Sequence, residues 1–306
     1  MKEENSIVAD IFRAKHEEFA MLSKNVKIEG KKMQFSWNGH EPAEVYINYP
    51  VKRKPGRIPA MINLHGGAFV DGDAVLLDSF CQKVADCLNI AVVNLNYKLY
   101  PDVRYPYPVE ETEHVLRYLE ENTSSLDIDA GLIGACGFSA GATIAFGTEA
   151  DLIKKNIRGF DFIVGFYPMV SGRLCDIDED SPYPATDDTM TKAMVEAMNG
   201  YADNPICSPL LAETEVLGKF PPSVILSCGK DSLGRMGKEF VSRLALSGVS
   251  VIYREFKNAY HGFAEVNRPD FFLPDERKNE EQHRLTKTAE KWIMDGISLI
   301  IKYMEG

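Results

Sequence analysis

Short apolar runs recur along the chain at 60–64, 90–95, 132–138, 162–166, 223–227 and 249–256, each with the composition of a strand buried on both faces. Between most of them the apolar residues fall at helical spacing, over 75–88, 108–121, 140–155 and 235–246. Strand alternating with helix predicts an α/β architecture, a mostly parallel central sheet with helices on both faces. Two shorter strand-like runs, 32–37 and 43–49, flank the turn-forming pair Asn38-Gly39 and predict an antiparallel hairpin at the sheet edge.

Three stretches depart from this rhythm. At the start, Ile7, Ile11, Phe12, Phe19 and Leu22 recur near helical spacing and predict an amphipathic helix within an N-terminal segment, 1–25. The region 169–219 is rich in Asp, Pro and Thr, with one helix-like stretch at 191–198. It reads as a cap inserted over the sheet, because loops longer than about 15 residues in compact domains usually carry function or are disordered. The charged connection 267–283 contains Phe271-Phe272 and leads to a final amphipathic helix with Leu285, Ala289, Trp292, Ile293, Ile297 and Ile300 on one stripe. The expectation is a single domain over 1–306, with the cap, the N-terminal helix and the Phe271-Phe272 segment lining its site.

Charge narrows the partners. The 34 Lys and Arg against 45 Asp and Glu leave a net charge of −11, which repels a phosphate backbone and an anionic membrane surface, so no nucleic acid and no membrane partner is expected. There is no apolar run long enough to span a bilayer, and the acidic start Glu3-Glu4 leads into no apolar leader core. Cys81, Cys87, Cys136, Cys175, Cys207 and Cys228 are scattered without a Cys-x-x-Cys pair and read as reduced thiols of a cytoplasmic protein. Cys136 and Cys228 fall in apolar runs and read as buried and inert. Homo-oligomerisation is left open.

The chemistry concentrates at strand ends. Gly137-Phe138-Ser139-Ala140-Gly141 follows an apolar strand and precedes a helix, the context of a nucleophile elbow that holds Ser139 on a strained turn. Upstream, His65-Gly66-Gly67-Ala68-Phe69 follows another strand, and its paired glycines suit a loop whose N–H groups face an oxyanion. His65 itself reads as orienting that loop. A serine hydroxyl needs an imidazole to take its proton and a carboxylate to hold the imidazole. His261 is the histidine that follows the last strand, and Asp231 follows the strand before it; Asp188, Asp203 and Glu255 are the competing acids. The chain order Ser139, Asp231, His261 is that of an α/β hydrolase.

Taken together, His65-Gly66-Gly67, Tyr97-Lys98-Leu99-Tyr100-Pro101-Asp102, the elbow, Ser208-Pro209-Leu210, Asp231-Ser232-Leu233 and His261-Gly262-Phe263 resemble the hormone-sensitive-lipase-like esterases, the α/β-hydrolase fold-3 family, in the family's order over 58–263. Within it the chain is similar to bacterial acetyl esterases and acetyl-xylan-esterase-like enzymes. The resemblance implies the α/β-hydrolase fold and a carboxylesterase that cleaves short-chain acyl esters of small molecules through an acyl-enzyme, with no metal and no organic cofactor. It maps Ser139, Asp231 and His261 to the triad and Gly66, Gly67 and Ala140 to the oxyanion hole. Phe138, Ala68 and Phe263, next to these groups, are expected to contact substrate. Phe138 and Ala142 replace the Asp and Gly of the commonest family elbow, and Gly234, Arg235 and Met236 stand where acids commonly follow the aspartate, so substrate preference is the property these departures touch. An arylformamidase or small amidase would need the same groups. A non-catalytic ligand-binding protein of this fold would have no need of all three reacting residues.

Overall fold

Strands Ile58–Leu64 (β3) and Ile128–Phe138 (β5) run side by side in parallel, with Leu64 opposite Gly137, so the loops that leave both strands emerge at the same edge of the sheet. The other strands extend this pair on either side. In chain order they are Lys31–Phe35 (β1), Ala43–Asn48 (β2), Ala91–Leu95 (β4), Ile163–Phe166 (β6), Ser223–Lys230 (β7) and Val251–Tyr260 (β8). The spatial order is β1-β2-β4-β3-β5-β6-β7-β8, antiparallel where β2 meets β1 and β4 and parallel elsewhere. This is a computed structural model, which describes residues 2–305.

Side-chain alternation along β5 distributes the core between the two faces. Ile133 and Ala135 join one hydrophobic cluster, built with the helices Tyr107–Glu121, Ala140–Lys155 and Gly234–Leu246. Leu132, Cys136 and Phe138 join the other, built with Asp78–Leu88 and the final helix Glu280–Glu305. Both faces of the central strands are therefore covered, which is why those strands read as continuous apolar runs. Glycines permit the closest approaches: a Cβ on Gly134 would run into the ring of Phe162.

The N-terminal helix, Lys2–Leu22, buries Phe12 completely and packs against the helix Asp188–Met198 of the 169–219 region. Asp187 caps that second helix by accepting the N–H of Met190 at 2.8 Å. Cys81, Cys136, Cys207 and Cys228 are buried, and burial pushes their thiols up, so they remain protonated and inert. Among the described residues no helix is long and apolar enough to cross a membrane.

Candidate active site

The turn from β5 into Ala140–Lys155 places Ser139 at φ 50° and ψ −112°, a conformation that costs a non-glycine residue strain. The turn is possible because Gly137 and Gly141 lack side chains: a Cβ on the first would collide with the backbone of Gly141 and Ala142, and one on the second with the carbonyls of Leu64 and His65. Ser139 Oγ lies 2.8 Å from His261 Nε2, and His261 Nδ1 lies 2.8 Å from Asp231 Oδ2. A carboxylate only accepts, so Nδ1 carries the hydrogen and Nε2 is the acceptor for the serine hydroxyl. The remaining oxygen of Asp231, Oδ1, accepts the Leu233 N–H at 2.9 Å, which fixes the carboxylate's plane. The Asp231 side chain is 1% exposed and that of His261 10%, so this chain of bonds is shielded from water except at its serine end.

The loop after β3 faces the elbow. His65 donates from Nδ1 to the Gly66 carbonyl at 2.7 Å, stacks on Tyr97 with ring centroids 4.1 Å apart, and is pushed by burial to about 4. It is thus neutral at ordinary pH and holds the loop's shape. Gly67 takes φ +116°, where a Cβ would strike the backbone of Asp71. Its carbonyl accepts N–H groups from Val70 and Asp71, which closes the turn.

A cavity of about 310 Å³ opens above Ser139 and His261. Met169, Met190 and Met194 give it an apolar wall, and Phe271 and Leu273 from the connection before the last helix also line it. Ala68 lines it. Phe138 and Phe263 do not, because both are fully buried in the core. Phe138 projects to the other face of the sheet, stacked on Phe166 at 4.1 Å and edge-on to Phe80 at 5.3 Å. Phe263 packs between Tyr167 at 5.9 Å and Phe256 at 5.7 Å. Among the described residues, none of the N-terminal helix lines this cavity. From that helix, His16, Phe19 and Ala20 border a separate space of about 550 Å³ that meets the first at Asp71 and Gly72.

Gly66 also departs from the expectation. Its N–H is taken by Glu265 Oε1 at 3.1 Å, and an amide held by a carboxylate is not offered to an oxyanion. Gly67 and Ala68 line the cavity, and Ala140 follows Ser139 as the first residue of the helix. Three residues escaped the reading of the sequence: Glu265, Tyr167 and Arg277. Arg277 donates to the His261 carbonyl at 3.0 Å while its other nitrogens pair with Asp275. Glu265 stands four positions beyond His261, so nearness to the histidine turn was the one signal available for it.

This arrangement can generate an alkoxide-like nucleophile, relay its proton and receive an oxyanion. The model of the alpha/beta hydrolase fold family Abhydrolase_3 matches residues 61–265, two thirds of the chain and the stretch that contains Ser139, Asp231, His261, Glu265 and the loop after β3. The chain belongs to the α/β-hydrolase fold-3 family. It is 29% identical over 232 residues to versiconal hemiacetal acetate esterase of Dothistroma septosporum, covering 71% of this chain and 70% of that one. It is 34% identical over 95 residues to acetyl esterase of Salmonella paratyphi B, which spans 31% of this chain and 29% of the relative. Among solved structures, an esterase of Pyrobaculum calidifontis superposes with a TM-score of 0.77 at 22% identity, over 97% of this chain and 94% of that one. The fold-3 chain is a carboxylic ester hydrolase, and its fold is the α/β hydrolase fold expected from the strand and helix pattern.

Proposed function

We propose that this ester hydrolase cleaves short-chain acyl esters, of which acetyl esters are the type, through an acyl-enzyme on Ser139. The continuous bond path from Ser139 Oγ through His261 to Asp231, at 2.8 Å and 2.8 Å, carries the reading. His261 Nε2 takes the hydroxyl proton as Oγ bonds to the ester carbon, and Asp231 stabilises the imidazolium that results. The carbonyl oxygen becomes an oxyanion, met by the N–H groups of Gly67, Ala68 and Ala140, the last being the first residue of a sixteen-residue helix whose dipole favours negative charge there. Collapse expels the alcohol, which leaves with the proton from His261. A water, deprotonated by the same nitrogen, then releases the acid and restores Ser139.

The size and wall of the cavity support a small acyl group, and the partial likeness to an acetyl esterase points the same way. The 169–219 region supplies Ile177, Ala185, Thr186, Met190 and Met194 to that wall, which supports its role as a cap within a single domain. An amidase or arylformamidase would run through the same groups and differ only in the leaving atom. A spectrophotometric series of 4-nitrophenyl esters from acetate to dodecanoate, run beside an N-formylarylamine and acetylated xylo-oligosaccharides, tests the proposal. Fastest turnover on the short esters supports it. A preference for the formamide, or no ester turnover at all, overturns it.

A further inference from the structure

Glu265 lies in the short helical turn Phe263–Val266 that follows His261, and its carboxylate joins parts of the site that come from distant positions in the chain. Oε1 accepts the N–H of Gly66, 199 positions upstream, at 3.1 Å. Oε2 accepts the Tyr167 hydroxyl at 3.0 Å. Tyr167 stands just past the end of β6, fixed through its N–H to the Leu226 carbonyl at 2.7 Å, and turns its ring edge-on to His261 with centroids 5.0 Å apart. One side chain thus fastens the loop after β3, the ring that packs on the imidazole, and the turn that carries the imidazole. The fit is close: a Cβ on Gly66 would lie 2.8 Å from Oε1.

The electrostatics point the same way. Burial pushes the Glu265 carboxyl up, while the Gly66 N–H, the Tyr167 hydroxyl, His261 when it carries a proton and the charge of Arg277 act to lower it. The other titratable groups facing it are Tyr97 and Cys136, both buried and themselves held protonated with its help. A negative charge at this place favours the positive charge that His261 gains when it takes the serine proton.

We propose that Glu265 is a positioning residue for ester hydrolysis. It holds Gly66 so that the next two N–H groups, of Gly67 and Ala68, face the oxyanion, and its charge adds to that of Asp231 in stabilising the imidazolium. The proposal rests on the Ser139, His261 and Asp231 reading given above.

The test uses the full chain with 4-nitrophenyl acetate and measures kcat, KM and the pH dependence of kcat/KM over about pH 5 to 9. Glu265→Gln retains the shape and loses the charge. Its kcat should fall roughly tenfold or more, its KM should stay within about twofold, and its acid limb should move to lower pH as the imidazolium loses a partner. Glu265→Asp retains the charge but no longer reaches Gly66, so it should lose kcat with the acid limb near its wild-type position. Tyr167→Phe, which removes one hydrogen bond and nothing else, keeps the test alive if the Glu265 variants fail to fold, and should lower kcat severalfold at unchanged KM. A wild-type kcat in Glu265→Gln, a kcat loss with an unmoved acid limb in that variant, or a wild-type Tyr167→Phe if the others do not fold, overturns the proposal. Ser139→Ala, measured alongside, separates the two layers: an active Ser139→Ala overturns the underlying reading and this proposal with it, whereas an inactive one leaves any failure at Glu265 alone.

Discussion

Asp231 Oδ2 and His261 Nδ1 meet at 2.8 Å because Lys230 and Tyr260, the residues just before them, are register partners at the ends of β7 and β8. The register shifts between Cys228 and Lys230, where Gly229 passes so close to Lys257 that any side chain would strike its backbone. That irregularity sets the two strand ends level and lets the carboxylate reach the ring.

The assignment of Asp231 is tested by Asp231→Asn, which keeps the shape but cannot stabilise the imidazolium and favours the wrong tautomer. Loss of the equivalent carboxylate in a well-studied serine protease costs about 10⁴-fold in kcat, or roughly 5 kcal/mol of barrier. A loss of about 100-fold or more is expected here with the fold intact by circular dichroism. Asp203 pairs with Arg173 on the surface, and Asp188 lies in the first turn of the Asp188–Met198 helix. Their Asn variants should stay within about tenfold of wild type.

Phe138 provides a test of a different kind. Enclosed by Phe80 and Phe166 in the core, it should contribute to stability and not to substrate contact. Phe138→Ala should cost about 3–5 kcal/mol in urea unfolding, while KM for 4-nitrophenyl acetate in the folded fraction stays near wild type. A stable variant with a changed acyl preference would return this ring to the substrate pocket.

Acyl length should be read by the methionine wall. Activity is expected to fall for chains beyond about six carbons, and Met190→Ala, by removing part of that wall, should shift the optimum to longer esters. Equal turnover of acetate and dodecanoate esters by the wild type would contradict this account of the pocket.

Stability should depend on pH through two buried acids. Burial pushes Glu111 and Glu149 up to about 7 each, although each accepts a backbone N–H, from Lys98 and Phe160 respectively. Between the ordinary glutamate value and about 7 the folded chain binds more protons than the unfolded one, so stability falls as pH rises through that window. Thermal unfolding should therefore show a higher midpoint near pH 5.5 than near pH 8, a difference of a few kcal/mol at most from these groups. The double change Glu111→Gln and Glu149→Gln should flatten the dependence; an unaltered slope would mean that neither acid causes it.

What the sequence made legible was local. The strand ending in the elbow, the glycine pair after β3 and the order of Ser139, Asp231 and His261 are each written in a few neighbouring residues. Strand ends were harder. β5 begins at Ile128, where Asp129 and Gly131 mask its start, and β8 continues to Tyr260 through the exposed Lys257 and Asn258, because an edge strand has no need of apolar residues on both faces. Phe138 misled by adjacency. It precedes the serine, but alternation along β5 sends its side chain to the far face of the sheet. The bond from Glu265 to Gly66 spans most of the chain, and no local pattern announces such a pairing.

Ser139 can be identified as the nucleophile by treating the folded protein with a serine-directed organophosphate and mapping the adduct by peptide mass spectrometry. One adduct per chain is expected, on the peptide containing Ser139, with ester hydrolysis lost in step with labelling and no adduct in Ser139→Ala. An adduct on another serine, or full hydrolysis by Ser139→Ala, would contradict this assignment.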